Sequence, residues 1–359
     1  MNKFFKLLRI ALGNKTEFDI PPTEQEWEEL FRKGQEQAIL GVLFDGIEQL
    51  PAEQRPPKQL LIQWYSVVSM IERQNALLNQ RCEQVTERFR LDNIQSCVLK
   101  GQGNALLYPI KLRRQSGDID IWVDMKPRDA IKYVKEHSKN WSELRYHHIA
   151  MPIKDVIMEV HFRPAFMDSF LRNHRFQKWA QMQKQAQMHH YSERDEAMSF
   201  HVPTANFNLV YQLVHIFRHL FDEGIGLRQL IDYYYLLKST NPNNVGLKQQ
   251  TAYVLKKLGL VKFAGAMMWI MEDLFCLEKE YMLVPPNTKE GQFLLDEVMM
   301  AGNFGKYDPR FGDLTGESAW HHFWRKIGRN MRFLTRYPEE VICEPFFRIY
   351  HWFWRLCIH

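Results

Sequence analysis

The sequence lacks any paired C-x-x-C spacing: its five cysteines, Cys82, Cys97, Cys276, Cys343 and Cys357, are odd in number and scattered. That argues against both a disulfide framework and a zinc ribbon. A reducing, cytoplasmic location is the expectation. No stretch approaches the roughly 20 consecutive apolar residues of a spanning helix. The N-terminal run MNKFFKLLRIALG begins like a signal peptide, but Lys6 and Arg9 interrupt its apolar core and no small-residue cleavage site follows. The chain is therefore expected to be soluble, or at most to lie on a membrane surface. Internal repeats and low-complexity segments are missing, and no charge of one sign dominates. The formal net charge of +5 over 359 residues permits an anionic ligand such as a nucleotide or RNA without requiring one, and DNA is not an expected partner. What the sequence does have is core material. A hydrophobic content of 45%, with 13% aromatics, suits a globular chain long enough for two or three domains.

Hydrophobic periodicity changes twice along the chain. From Glu24 to about Arg90 it is helical, with Trp27, Leu30 and Phe31, then Ile39, Val42, Leu43 and Ile47, at steps of three and four, and a Pro-rich break over residues 51–57. Between about Ile94 and Arg163 it becomes short strands: Ser96 to Lys100, Asp118 to Val123, Glu143 to Met151 and Asp155 to Phe162. One helix is expected after Gly101, a second from Pro127 to about His137, and PIKD reads as a hairpin turn between the last two strands. After Phe166 the pattern is helical again over Ala205 to Asp222, Leu227 to Lys238 and Leu247 to Phe275. The expected organisation is a helical region over 1–92, a sheet core over 93–165, a helical region over 166–300, a Gly-containing loop over 301–317 and basic, aromatic helices over 318–359. The fold class is α+β, a small mixed sheet embedded in mostly helical N- and C-terminal regions.

Within that sheet, SGDIDIWVD sets Asp118 and Asp120 either side of one isoleucine. Side chains at i and i+2 of a strand share a face, so the two carboxylates converge while Ile119 and Ile121 point to the core. Two adjacent carboxylates repel unless a cation lies between them, and hard oxygens suit Mg²⁺ or Mn²⁺. Asp-x-Asp alone also occurs in calcium loops, in sugar-nucleotide glycosyltransferases and on solvated strand ends. Upstream, VLKGQGNALLYP passes from an apolar strand through Gly101 and Gly103 into a helix, a turn where backbone N–H groups can approach a phosphate and Lys100 can add a point charge. It also reads as an ordinary strand-to-helix turn with a surface lysine. Downstream, Glu159 is a third acid in an apolar strand that the hairpin can bring beside the pair. Three converging carboxylates form the ligand set of a two-metal phosphoryl or nucleotidyl transfer site.

A glycine turn, a helix, Asp-hydrophobic-Asp in a strand and a later acid resemble the polymerase-β-type nucleotidyltransferase superfamily. LKG, RQSGDIDIWV, HHIAMPIKDVIMEVHFRP and HIFRHLFDEGIGLRQLIDYYYLL together are similar to the family of uncharacterised nucleotidyltransferases known from bacteria. The resemblance implies Asp118, Asp120 and Glu159 as metal ligands; that Glu159 also takes the acceptor's proton is the expectation from its place beside the other two. Lys100, Gly101 and Gly103 fall in the nucleotide-binding turn, and Arg114 lies four residues before the first Asp. It implies an ATP- or other NTP-dependent transfer onto an acceptor that is a small molecule, sugar, RNA or protein. Two departures stand out: the usual Gly-Ser or Gly-Gly is Gly101-Gln102 or Gly103-Asn104, and the third acid is Glu rather than Asp.

On the helix from Ala205, Asn208, Gln212, His215, His219 and Asp222 make a polar stripe opposite Phe207, Val210, Val214, Phe217 and Phe221. His215 and His219 have i, i+4 spacing, but Ile216 follows the first His where a metalloprotease has Glu, so histidines lining a crevice are expected rather than a zinc site. Arg228 and Asp232 are one turn apart; they form either an intrahelical pair or an arginine held by Asp232 and aimed at phosphate or acceptor. Near the end, Arg325, Arg329, Arg332 and Arg336 recur opposite Trp320, Trp324, Ile327, Met331 and Leu334, followed by the aromatic EPFFRIYHWFWRLC. The expected arrangement packs the apolar stripe on the body and leaves the arginines solvated, with lipid or RNA contact as the alternative. Two rival functions remain: a glycosyltransferase with the Asp pair in a loop after a separate nucleotide-binding half, and a non-catalytic scaffold or membrane-surface adaptor.

Overall fold

The computed structural model describes residues 2–192, 199–310 and 319–358. Four helices come first: α1 (Lys3–Ala11), α2 (Glu24–Glu36), α3 (Leu40–Gln49) and the long α4 (Lys58–Leu91). The start of α2 is set locally, because Thr23 accepts from the Glu26 amide while the Glu26 carboxylate accepts from the Thr23 amide. The sheet segment runs β1 (Ser96–Val98), α5 (Lys100–Ala105), β2 (Ile119–Val123), α6 (Pro127–His137), β3 (His148–Ile153) and β4 (Val156–His161). Six more helices follow: α7 (Phe170–Gln187), α8 (Ala205–Asp222), α9 (Leu227–Ser239), α10 (Val245–Lys257), α11 (Val261–Trp269) and α12 (Thr288–Ala301). Helices α13 (Ala319–Met331) and α14 (Pro338–Ile358) end the chain. The fold is α+β, as its sequence pattern implies.

Strand order is β1-β2-β4-β3, with β1 and β3 antiparallel to their neighbours and β2 parallel to β4. One face is apolar: Ile119, Ile121 and Val123 of β2 and Met158 and Val160 of β4 pack with Leu78, Cys82, Val85 and Phe89 of α4 and with Ala130, Ile131 and Val134 of α6. With helices on that side, charged side chains of the same strands must face the other way. A second core joins segments far apart in sequence, from Phe4 and Trp27 through Phe207 and Tyr233 to Phe263 and Phe333. Trp122 connects the sheet to it, stacking on Phe207, which in turn stacks on Trp179.

Several expected boundaries shift. The strand expected from Glu143 begins at His148, with Leu144 making only an isolated bridge to Ile149. The helix expected over 247–275 is broken after Lys257, where Gly259 adopts φ +69° and ends α10. The PIKD turn forms as expected, with Lys154 at φ +52°. Of the loop 301–317, residues 311–317 lie outside the described residues, as do the side chain of Trp320 and those beside it.

The C-terminal arrangement departs from the expected one: Leu334 packs against the core as expected, but the arginines are paired rather than solvated. Arg329 donates to the carbonyls of Asp222 and Leu220 at the end of α8, Lys326 pairs with Asp222, Arg332 with Glu297 and Arg336 with Glu290. Trp324 and Met331 are exposed instead. The reason is electrostatic: the C-terminus of α8 offers unpaired carbonyls, a negative dipole end and an acid, which together draw the basic side inward.

α14 is anchored by Glu340, whose carboxylate accepts from the amides of Asp168 and Ser169 at 2.9 and 3.1 Å. Burial, with Asp168 nearby, pushes Glu340 up to about 7. A carboxyl raised on folding contributes stability below its unfolded value, 4.5, and that contribution is lost as pH rises through about 7. Glu340→Gln keeps an amide-accepting oxygen and cannot ionise. It is expected to raise the melting temperature by a few degrees at pH 8 and to leave it unchanged at pH 4 in paired thermal melts.

Candidate active site

The parallel register between β2 and β4 sets Asp120 opposite Glu159, and Asp118, two residues before Asp120, shares their face. The antiparallel register between β3 and β4 sets His148 opposite His161 on that same face. Asp118, Asp120, Glu159 and His148 line a cleft of about 250 Å³ closed on its far side by Gln212, His215, His219 and Asp222 of α8, by Arg228 of α9 and by Phe304. The loop bearing Phe304 fits closely against the end of α8: a Cβ on Gly305, at φ +67°, would stand 2.0 Å from the Glu223 carbonyl.

Electrostatics inside the cleft follow from which carboxylate has a cation. Asp120 is buried, yet Lys100 Nζ at 2.6 Å and His161 Nε2 at 2.9 Å both meet its Oδ1. Burial opposes its charge, but Lys100 and His161 prevail and hold its carboxyl below the usual range. Glu159 is likewise opposed by burial and held low by His148 at 3.0 Å and His161 at 3.3 Å. Among the described residues Asp118 has no such partner. Desolvation by the cleft walls, then the charges of Asp120 and Glu159, push it up to about 6; its solvent access at the mouth tempers the first of these, leaving carboxylate repulsion as the part a cation would relieve. Lys100 is raised because the three acids outweigh its burial. His215 is held well below the ordinary imidazole range and His219 falls to about 3, both mainly by burial and then by Lys100. They are neutral crevice histidines, as expected.

The nucleotide-turn residues fare unevenly. Gly101 lines the cleft at φ +35°, ψ −109°, a conformation L side chains rarely adopt, and a Cβ there would sit 3.4 Å from the Asp118 carbonyl. Gly101→Ala should cost about 1–3 kcal/mol and lower the melting temperature, with circular dichroism showing the secondary structure retained. Gly103 instead lies against β1, where a Cβ would stand 2.9 Å from the Val98 carbonyl. Lys100 is turned onto Asp120, not left free at the turn.

Arg114 and Arg228 depart from their expected pairing. Asp232 receives Arg114 through two 2.7 Å bonds, the Tyr108 hydroxyl at 2.6 Å and the Asn104 amide at 3.2 Å, which leaves no place for Arg228. Arg228 donates to the Gln115 carbonyl at 2.9 Å and lies over the Phe304 ring, with Nε buried and without a partner among the described residues. Burial, with Arg114 beside it, pushes Arg228 down to about 10. Gln212 donates to Asn104 at 2.8 Å, so α8, α5, α9 and the segment before β2 are joined by one buried polar network. The sequence signal for the missed members was thin. His161 two residues after Glu159, and Asn104 in the helix after the glycines, are the only positional hints.

The sequence pattern of a family described as uncharacterised nucleotidyltransferases matches residues 23–276. Among curated proteins none matches the chain. One likeness among solved structures is to the Thermotoga maritima CCA-adding enzyme complexed with tRNA, at 11% identity over 77% of this chain and 80% of that chain, with a TM-score of 0.20; that level supports no argument about fold or substrate. The matched span takes in the four-stranded sheet, every acid facing the cleft and the α8–α9 wall, and the chain belongs to the family of uncharacterised nucleotidyltransferases.

Proposed function

We propose that the chain transfers a nucleoside monophosphate from an NTP to an acceptor hydroxyl or phosphate, with release of pyrophosphate and with a divalent ion, Mg²⁺ or Mn²⁺. The observation that supports this best is the β2–β4 register, which stands Asp118, Asp120 and Glu159 together over a cleft in a member of a nucleotidyltransferase family. The residues suit a cation: an exposed carboxyl, raised by burial and then by the charges of Asp120 and Glu159, lies beside Asp120, which is paired with Lys100, and Glu159, 3.0 Å from His148 Nδ1. A divalent ion bound there would screen the nucleotide phosphates and ease loss of the acceptor's proton. Asp118, Asp120 and Glu159 would hold the ion. Glu159, held deprotonated by two histidines, suits that task better than the proton transfer its position in the sequence suggested. Gly101 would let the backbone approach a phosphate, and Arg228 has an unpartnered buried Nε to offer across the cleft. Arg114 would act through position, fixing the segment that leads into Asp118.

The glycosyltransferase alternative expected the acids in a loop after a separate nucleotide-binding half, whereas Asp120 lies inside β2 next to a three-residue β1. Incubating the protein with each α-labelled NTP and a lysate, and identifying the species that gains label, tests the transfer and names the acceptor. No label transferred from any NTP, with no pyrophosphate formed, would end this reading.

The scaffold or membrane-surface reading draws on α14, where Ile342, Phe346, Ile349, Phe353 and Leu356 are exposed at steps of four, three, four and three. Among the described residues no helix is long and apolar enough to cross a membrane. Sedimentation with anionic vesicles, without nucleotide, is the measurement for that face.

A further inference from the structure

We infer that a groove at the carboxyl ends of the parallel strands β2 and β4 binds the phosphate group of a small organic phosphate. The inference does not depend on the transfer reading, because the groove shares no lining residue with the cleft that holds the acids. Its volume is about 830 Å³, within the range of small-ligand sites. β2 ends at Val123 and α6 begins at Pro127, while β4 ends at His161 and is followed by Phe162 and Pro164 on the groove wall; α7 adds Lys178 and Lys184. The carboxyl ends of parallel strands, with the helix that follows, are where open α/β sheets hold ligands.

Two independent features call for an acceptor there. The first is Trp122, which lines the groove and is 1% exposed: its Nε1–H, a donor only, has no partner among the described residues. Phe207 stacks on the indole and Lys184 Nζ lies 5.7 Å from a ring centre, so the ring is held by its faces and its edge is the part left for an occupant. A buried donor left unbonded is costly, and a ligand oxygen would satisfy it. The second is the start of α6, a helix of 11 residues: Lys126 provides no side-chain cap and Pro127 has no N–H, which leaves the Arg128 and Asp129 amides as the open donors of the first turn, where the dipole is positive. The charge agrees. Asp124 is taken by Lys184 at 2.7 Å and by Gln185 at 2.8 Å. Counting Asp129 against Arg163, Lys126 and Lys178 remain as surplus positive charge, neither in an ion pair with a described residue. Ile94, Met125 and Phe162 line the same groove, so the occupant that fits carries its phosphate on an organic body.

The test follows the tryptophan indole N–H signals of the full chain by ¹⁵N nuclear magnetic resonance, with Trp122→Phe, which keeps an aromatic ring against Phe207, identifying the Trp122 line by its loss. Inorganic phosphate and phenyl phosphate are titrated at constant ionic strength, with chloride and phenol as controls. The expected result is a saturable shift of the Trp122 line with both phosphates and none with chloride or phenol, phenyl phosphate binding about threefold or more tighter for its buried ring. Affinity in the variants is read from the Asp129 amide. It should fall about tenfold in Trp122→Phe, which loses a hydrogen bond to a charged oxygen. In Lys126→Ala and Lys178→Ala, surface changes that leave the core alone, it should fall about two- to fivefold each. A Trp122 line that does not move, an equal shift with chloride, or affinities unchanged in all three variants would overturn the assignment. So would a response to a short oligoribonucleotide alone, which would make the groove an RNA contact.

Discussion

Asp118→Asn is expected to lower NTP-dependent pyrophosphate release by about 10³-fold or more, the scale on which phosphoryl-transfer charge stabilisation operates. Its melting temperature should hold or rise, because Asp118 is exposed and repelled by Asp120 and Glu159. Asp120→Asn should lose as much activity but also stability, since it strips the half-buried Lys100 ammonium of its 2.6 Å carboxylate partner. The contrast between the pair is the informative result: a residue that only shapes the fold would lose both quantities together, whereas Asp118 should lose one alone. Turnover and melting are measured on the same preparations. Retained turnover in Asp118→Asn would remove the carboxylates from the chemistry, and a silent wild type would favour the scaffold reading instead.

The second large effect is on stability. Asp232→Ala is expected to destabilise the protein by about 3–5 kcal/mol, the cost of leaving one partner of a buried ion pair alone. Asp232 and Arg114 are both buried and joined by two 2.7 Å bonds, and the Tyr108 hydroxyl and Asn104 amide also depend on Asp232. The doubly substituted Arg114→Leu, Asp232→Ala should recover a substantial part of that loss, because an unpaired buried guanidinium is then absent. Denaturant midpoints of the two single variants and the double variant give the coupling. Additive losses would show that the network matters through packing rather than charge.

These expectations draw unequally on sequence and on structure. The acid trio was legible because strand alternation has a fixed period: once Ile119 and Ile121 are assigned to the core, Asp118 and Asp120 must share the opposite face. The hairpin then fixed Glu159, since β4 can pair parallel to β2 in a register that keeps Met158 and Val160 on the apolar side. The polar stripe of α8 was legible for the same reason at a period of 3.6. Arg228 shows where such reasoning stops. Its separation from Asp232 is that of an intrahelical pair, yet Arg114, far away in the chain, is placed by packing to reach both Asp232 oxygens while Arg228 turns to the Gln115 carbonyl. The C-terminal helix shows it again: a basic stripe opposite an apolar stripe does not say which one faces inward, and the carbonyls and Asp222 at the end of α8 decided it.

The sequence by itself determined the element types, the α+β class and the faces on which Asp118 and Asp120 and the helix histidines His215 and His219 stand, because these are set by periodicity and turn chemistry within a few residues of chain. Only the tertiary structure decided the partners: Lys100 and His161 on Asp120, His148 on Glu159, and Arg114 rather than Arg228 on Asp232. Partner choice in a buried cleft depends on which donors arrive from distant segments after packing, and on how far burial penalises each charge. Neither quantity is written in local spacing.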